Sequence, residues 1–180
     1  MIRTLGVVIA LLLIAIGCTA SPPPAATHKA PEGLPQVPLV MYQGSPGVPK
    51  DVSALSQVVG RGKPVVVNFW AGQCPPCRAE MPDFQKVHEE YREQVIILGI
   101  DVGPFLGLGS RQDGRALLRE LNISYGTATT FDPSVVRSFE ILGMPTTLFY
   151  TAEGRLHKRH TGILTRGQIE TLVKELLAAA

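Results

Sequence analysis

The sequence predicts an α/β fold: a mixed β-sheet with helices on both faces, preceded by an export segment. Three observations carry this. PVVVNFW (64–70) and VIILGID (95–101) are continuous apolar runs of strand length, the pattern of central strands covered on both sides. Between them Phe84, Val87, His88 and Tyr91 form a helical stripe, which makes a strand–helix–strand unit. Downstream, TTLFYT and RLHKRHTG around Ala152-Glu153-Gly154 read as a hairpin, and a terminal helix follows.

The chain has 180 residues, 45% hydrophobic and 18% charged, with a net charge of +2. That suits one domain plus extra sequence, and the even charge balance excludes a nucleic-acid binder. The N-terminal part supplies the extra sequence. Arg3 precedes the apolar run VVIALLLIAIG, which ends at Cys18. A permanent span needs about 20 apolar residues, so this run has the length of a signal-peptide core. Its end, AIGC, resembles a bacterial lipobox, with Ala15 where leucine is usual, and the resemblance implies lipidation of Cys18. Cleavage at the small-x-small site Cys18-Thr19-Ala20 and an uncleaved anchor are the alternatives. All three place the domain outside the cytoplasm. Residues 19–36, TASPPPAATHKAPEGLPQ, are Pro- and Ala-rich and read as a tether, so the globular domain is expected over 37–180.

Within the domain, VPLVMY reads as a strand and GSPG as a turn. Ser53 is the expected N-cap of a short helix carrying Leu55, Val58 and Val59 and ending at Gly60. After PVVVNFW, a helix is expected from Cys74 to about Arg92, kinked at Pro82. GPFLGLGSRQDG, after the second buried strand, reads as a glycine-rich loop leading to a helix over 115–121. Another short helix is expected over 133–139. In the last helix, Thr165 and Gln168 make a capping-box pattern ahead of Ile169, Leu172, Val173, Leu176 and Leu177.

The chemistry concentrates in FWAGQCPPCRAEMP, residues 69–82. With Cys74 as N-cap, Pro75 and Pro76 fall at the first two helical positions, where a missing N–H costs little. The Cys77 amide is then the natural partner for the Cys74 sulfur, and the helix N-terminus favours the Cys74 thiolate. Cys77, three residues deeper, suits a resolving thiol. Two other chemistries are weaker. A structural zinc site needs four ligands, yet there is no second cysteine pair, and His28, His88, His157 and His160 form no partner motif. A purely structural disulfide across so short a loop gains little entropic stabilisation.

The segment VVVNFWAGQCPPCRAEMP resembles the active-site segment of exported thioredoxin-like proteins of the TlpA/ResA type, and GMPTTLFY (143–150) resembles the cis-proline segment of that family. The resemblance covers about residues 37–178 and implies a thioredoxin-like fold. It implies Cys74 as nucleophile, Cys77 as resolving thiol in a redox disulfide, and Pro145 as the cis-proline, with Met144 lying against the dithiol. Trp70, Gln73, Met144, Pro145 and Thr146 are the residues it implies at the substrate-binding surface. Glu80 corresponds to a family acid near the dithiol, while Asn68 stands where thioredoxin has a buried aspartate. We therefore expect Glu80 to accept the Cys77 proton if burial raises its pKa. Gln73 departs from the family, where tryptophan usually precedes the first cysteine, and makes the rim smaller and more polar.

The expected function is thiol–disulfide oxidoreduction outside the cytoplasm without a cofactor. The family favours reduction of exported proteins such as apocytochrome c, with electrons from a membrane thiol-transfer protein. A thiol peroxidase and a copper-holding dithiol domain are the competing classes.

Overall fold

Each apolar run becomes a strand because the sheet buries both of its faces. The structure is a computed structural model that describes residues 30–179, so the segment read as an export signal and Cys18 lie outside the described residues. Among these, the strands are β1 (Val40–Gln43), β2 (Val65–Trp70), β3 (Ile96–Asp101), β4 (Gly126–Thr129), β5 (Thr146–Tyr150) and β6 (Leu156–Thr161). They form one sheet in the order β1-β4-β3-β2-β5-β6. β2, β3 and β4 run parallel, and β1, β5 and β6 pair antiparallel. The helices are α1 (Pro75–Tyr91), α2 (Gly103–Leu106), α3 (Arg111–Glu120), α4 (Val135–Ser138) and α5 (Arg166–Ala178). The fold is the thioredoxin-like α/β architecture the sequence predicts.

Strand alternation divides the core in two. Val65, Val67 and Phe69 of β2 join one apolar layer with Phe139 and the N-terminal segment, while Val66 and Trp70 join the other with α1, α3 and α5. That register puts Asn68 on the α1 side, facing Glu80. The stripe foreseen on α1 is buried, from Phe84 to Tyr91, and the helix runs on through Pro82. Burying a side chain such as Phe84 contributes about 2 kcal/mol or more.

Four boundaries differ from expectation. Leu34 is buried with Val37, and Pro31 abuts Gly60 and Gly154, so part of the segment read as tether packs on the domain. The short helix after Ser53 is a 3-10 turn, Leu55–Gln57, preceded by Ala54, because Gln57 Oε1 accepts both the Ser53 and the Ala54 N–H. The glycine-rich stretch is only partly loop. It holds α2 and the start of α3, whose N-cap Ser110 accepts the Asp113 N–H while Asp113 accepts the Ser110 N–H. Finally, β4 was not foreseen, because GTAT has no large apolar residue and is a strand through its pairing with β3 and β1.

Candidate active site

β2 ends at Trp70 and the chain turns over Ala71-Gly72-Gln73, which leaves Cys74 at the N-cap of α1 in extended conformation. Pro75 and Pro76 fill the first helical positions. The first amide free to cap is that of Cys77, and it donates to Cys74 Sγ at 3.3 Å. The two sulfurs are joined as a disulfide. Cys77 is fully enclosed, Cys74 keeps 3% exposure, and both prolines face solvent. Once the disulfide is reduced, the amide and the positive end of the helix favour the thiolate at Cys74.

Glu80 lies one turn beyond Cys77 and is completely buried. Asn68 Nδ2 donates to its Oε1 at 2.7 Å, and the Leu164 N–H donates to its Oε2 at 3.0 Å. Burial pushes its pKa up to about 7, against the opposing pull of the Leu164 and Asn68 donors. Such a carboxyl changes charge near neutral pH, as a proton acceptor for a thiol must. Asn68 Nδ2 also donates to Thr147 Oγ1 at 3.0 Å, tying the Glu80 carboxylate to β5. Tyr125, just before β4, was not singled out in the sequence. It is fully buried, and burial first, then the Glu80 charge, raise its hydroxyl pKa.

Two residues before Thr147, the Met144–Pro145 peptide is cis, the geometry that the family resemblance implies. Its backbone is latched on both sides: Gly162 N–H donates to Pro145 O at 2.8 Å, and Thr146 Oγ1 donates to Gly143 O at 2.7 Å. Met144 is half-buried and packs against both apolar layers, including the one that holds the two cysteines.

The residues expected at the docking surface separate into two groups. Gln73 is exposed and Met144 half-exposed, so both can meet a partner. Trp70, Pro145 and Thr146 are buried, so their side chains lie beneath this surface. Trp70 is enclosed because its indole lies against Gly99 and Gly114, where a Cβ would come within 2.8 Å of Nε1 and 3.4 Å of Cη2. Thr146 turns its hydroxyl inward to the cis-proline loop. Apart from Met144, the apolar surface comes from residues the sequence reading did not select. A groove of about 300 Å³ is lined by Leu106, Leu108, Ile141, Leu142, Gly143 and Met144. A second, of about 540 Å³, shares Ile141 and Leu142 and extends over Pro133 and Val136. Leu142, shared by both grooves, is 93% exposed. The signal for it was the run Ile141-Leu142 directly before GMPTT.

Gln73 now has a structural reason. Its N–H donates to Leu108 O at 2.8 Å, and its side chain lies against Gly109 and the Asp113 carboxylate. A polar residue there fits the polar start of α3.

The chain is similar to the thiol-disulfide oxidoreductase ResA of Halalkalibacterium halodurans, 33% identical over 115 residues, or 63% of this chain. The match spans 62% of that relative's own length. Among solved structures, the exposed lipoprotein thioredoxin Etrx1 of Streptococcus pneumoniae superposes with a TM-score of 0.58 at 25% identity, covering 65% of this chain and 87% of that one. A putative thiol:disulfide interchange protein DsbE from Chlorobium tepidum gives a TM-score of 0.60 at 24% identity, covering 80% of this chain and 94% of that one, and shows the shared fold. Residues 44–159 match the AhpC/TSA family, which takes in both cysteines, Glu80 and the cis-proline, and the chain belongs to that family.

Proposed function

We propose that this chain is a thiol–disulfide oxidoreductase working outside the cytoplasm, which reduces disulfides of exported proteins. The observation that carries it is the Cys74 sulfur at the start of α1, capped by the Cys77 amide, with buried Glu80 one turn on. The similarity to ResA and to an exposed lipoprotein thioredoxin supports both the chemistry and the compartment. In this reading residues 1–18 direct export, Cys18 carries the lipid, and the following Pro/Ala-rich stretch holds the domain off the membrane.

The reaction follows from the site. Cys74 thiolate attacks one sulfur of the partner's disulfide, and the partner's other sulfur leaves as a thiolate. Cys77 passes its proton to the Glu80 carboxylate and attacks Cys74 Sγ, which forms the Cys74–Cys77 disulfide and releases the second partner thiolate. The partner gains two electrons and the dithiol loses them. A membrane thiol-transfer protein then re-reduces the pair. The Leu142–Met144 groove suits an apolar stretch of polypeptide beside the partner's cysteine, and apocytochrome c is one such substrate.

Cys77→Ala tests this. Cys74 then attacks but no residue resolves the product, so exported proteins accumulate disulfide-linked to Cys74, and mass spectrometry identifies them. No adduct from a membrane and envelope fraction would overturn the reading. A thiol peroxidase is the competing reading. A threonine three residues before a reactive cysteine would favour it, but Ala71 stands there for Cys74 and Cys74 itself for Cys77. Peroxide consumption faster than protein-disulfide reduction would decide for the peroxidase.

A further inference from the structure

The dithiol rests on a second buried carboxylate that the exchange reaction does not use. Asp101 ends β3, directly beside Trp70 in the parallel ladder, and it is fully buried. Its Oδ1 accepts the Gly103 N–H at 2.9 Å, and its Oδ2 accepts the Tyr42 hydroxyl at 2.9 Å. From Gly103 a line of main-chain bonds leads to the active site. The Leu108 N–H donates to Gly103 O at 3.1 Å, and the Gln73 N–H donates to Leu108 O at 2.8 Å. Gln73 is the residue before the nucleophile.

Close backbone approaches follow the same route. A Cβ on Gly114 would lie 2.4 Å from Asp101 Oδ2, and one on Gly72 would lie 2.6 Å from the Gly114 nitrogen. One on Gly109 would lie 2.9 Å from Gln73 Cγ. Thus the Ala71–Gln73 lip sits directly on the start of α3, with the Asp101 carboxylate beneath. The charged and titratable groups around that carboxylate are Tyr42 from β1 and Arg111 and Asp113 from α3, with Arg115 stacked over the Tyr42 ring.

We infer that Asp101 is a positioning residue for the dithiol: by holding the Gly103–Leu108 turn, it fixes the main chain at Gln73 and hence the Cys74 sulfur over the α1 N-terminus. This rests on the redox reading of Cys74 and Cys77. A lip that is free to move lets Cys74 leave the line of the Cys77 amide, and the thiolate loses its stabilisation.

The test is iodoacetamide alkylation of Cys74 in the reduced full-length chain, followed across pH, with thermal unfolding recorded alongside. Asp101→Ala removes the acceptor for Gly103. It should move the Cys74 profile to higher pH and slow alkylation at neutral pH by about three- to tenfold. Asp101→Asn keeps an oxygen for Gly103 and an amide for the Tyr42 oxygen, so it should stay within about twofold of wild type. An Asp101→Ala profile that overlays wild type, with only the melting temperature lowered, overturns the inference. An equal shift in Asp101→Asn also overturns it, because the effect then comes from charge and not from position. If Asp101→Ala does not fold, Gly109→Ala decides, since a side chain at this positive-φ position both strains the Gly109 backbone and comes within 2.9 Å of Gln73 Cγ, disturbing the other end of the route. A shifted Cys74 profile supports the link and an unchanged one rejects it. Failure of wild type to reduce any protein disulfide would defeat the proposed function and leave this measurement of thiol reactivity intact.

Discussion

At the scale of the residue, the exchange of aspartate for asparagine at position 68 decides where the site keeps its titratable group. Asn68 cannot ionise, but it donates to Glu80 at 2.7 Å, so the titratable group one turn beyond Cys77 sits on α1 and the neighbouring strand supplies only a donor to it. This gives Glu80→Gln a clear expectation. Glutamine preserves the shape and can still accept the Leu164 N–H, but it takes no proton. The step in which Cys77 resolves the mixed disulfide should slow by about 10², the usual reach of a general base. Its pH profile should lose the inflection near 7 that the Glu80 carboxyl supplies. Stopped-flow kinetics of mixed-disulfide decay across pH 5–9 measures both. An unchanged inflection would assign it to another group.

At the scale of the element, the apolar groove is built from two connecting segments and not from the CPPC turn. Leu106 and Leu108 come from the segment after β3, and Ile141, Leu142 and Met144 from the approach to the cis-proline. In the second segment Ile141 is buried and Met144 half-buried, and Leu142 alone stands exposed beside the groove. Leu142→Ser should therefore change recognition and leave chemistry alone. Because the side chain is 93% exposed, the substitution should alter stability by no more than about 0.5 kcal/mol. KM for a protein disulfide should rise by about three- to tenfold with kcat unchanged, the effect of losing roughly one well-covered apolar contact. Reduction of a small disulfide such as oxidised glutathione should stay within about twofold of wild type, because it covers little of the groove. A fall in kcat with both substrates would place Leu142 in the architecture of the site instead.

At the scale of the molecule, what could be read in advance was whatever one segment determines by itself. The buried strand before CPPC, the Cys74 cap, the α1 stripe and the hairpin after GMPTT are local patterns, and each holds in the fold. The burial of Trp70 was not legible, because it depends on Gly99 and Gly114, two glycines distant in sequence that leave room for the indole. β4 and the Asp101 linkage are hidden for the same reason, since their partners arrive from other elements. Glu80 is the intermediate case: its closeness to Cys77 follows from helical spacing, but its complete burial needs β2 and the Leu164 turn. That burial has a consequence for the whole fold. The Glu80 pKa is raised from 4.5 to about 7 in the folded state, chiefly by desolvation. Between these values the folded protein holds a proton that the unfolded chain releases, so rising pH lowers stability through that window. The stabilisation from the neutral carboxyl is complete below about pH 4.5 and is lost as pH passes 7. Its size is up to about 3 kcal/mol at 1.36 kcal/mol per pKa unit. Urea unfolding of the oxidised protein isolates it, because the disulfide removes the cysteine titrations, and subtraction of Glu80→Gln cancels Asp101 and the other groups. The difference in stability, wild type minus Glu80→Gln, should fall between pH 4.5 and 7 and then level off. A difference that stays flat across this range would mean that Glu80 ionises in the fold as it does in the open chain, and the carboxyl would then have no special fitness for taking the Cys77 proton.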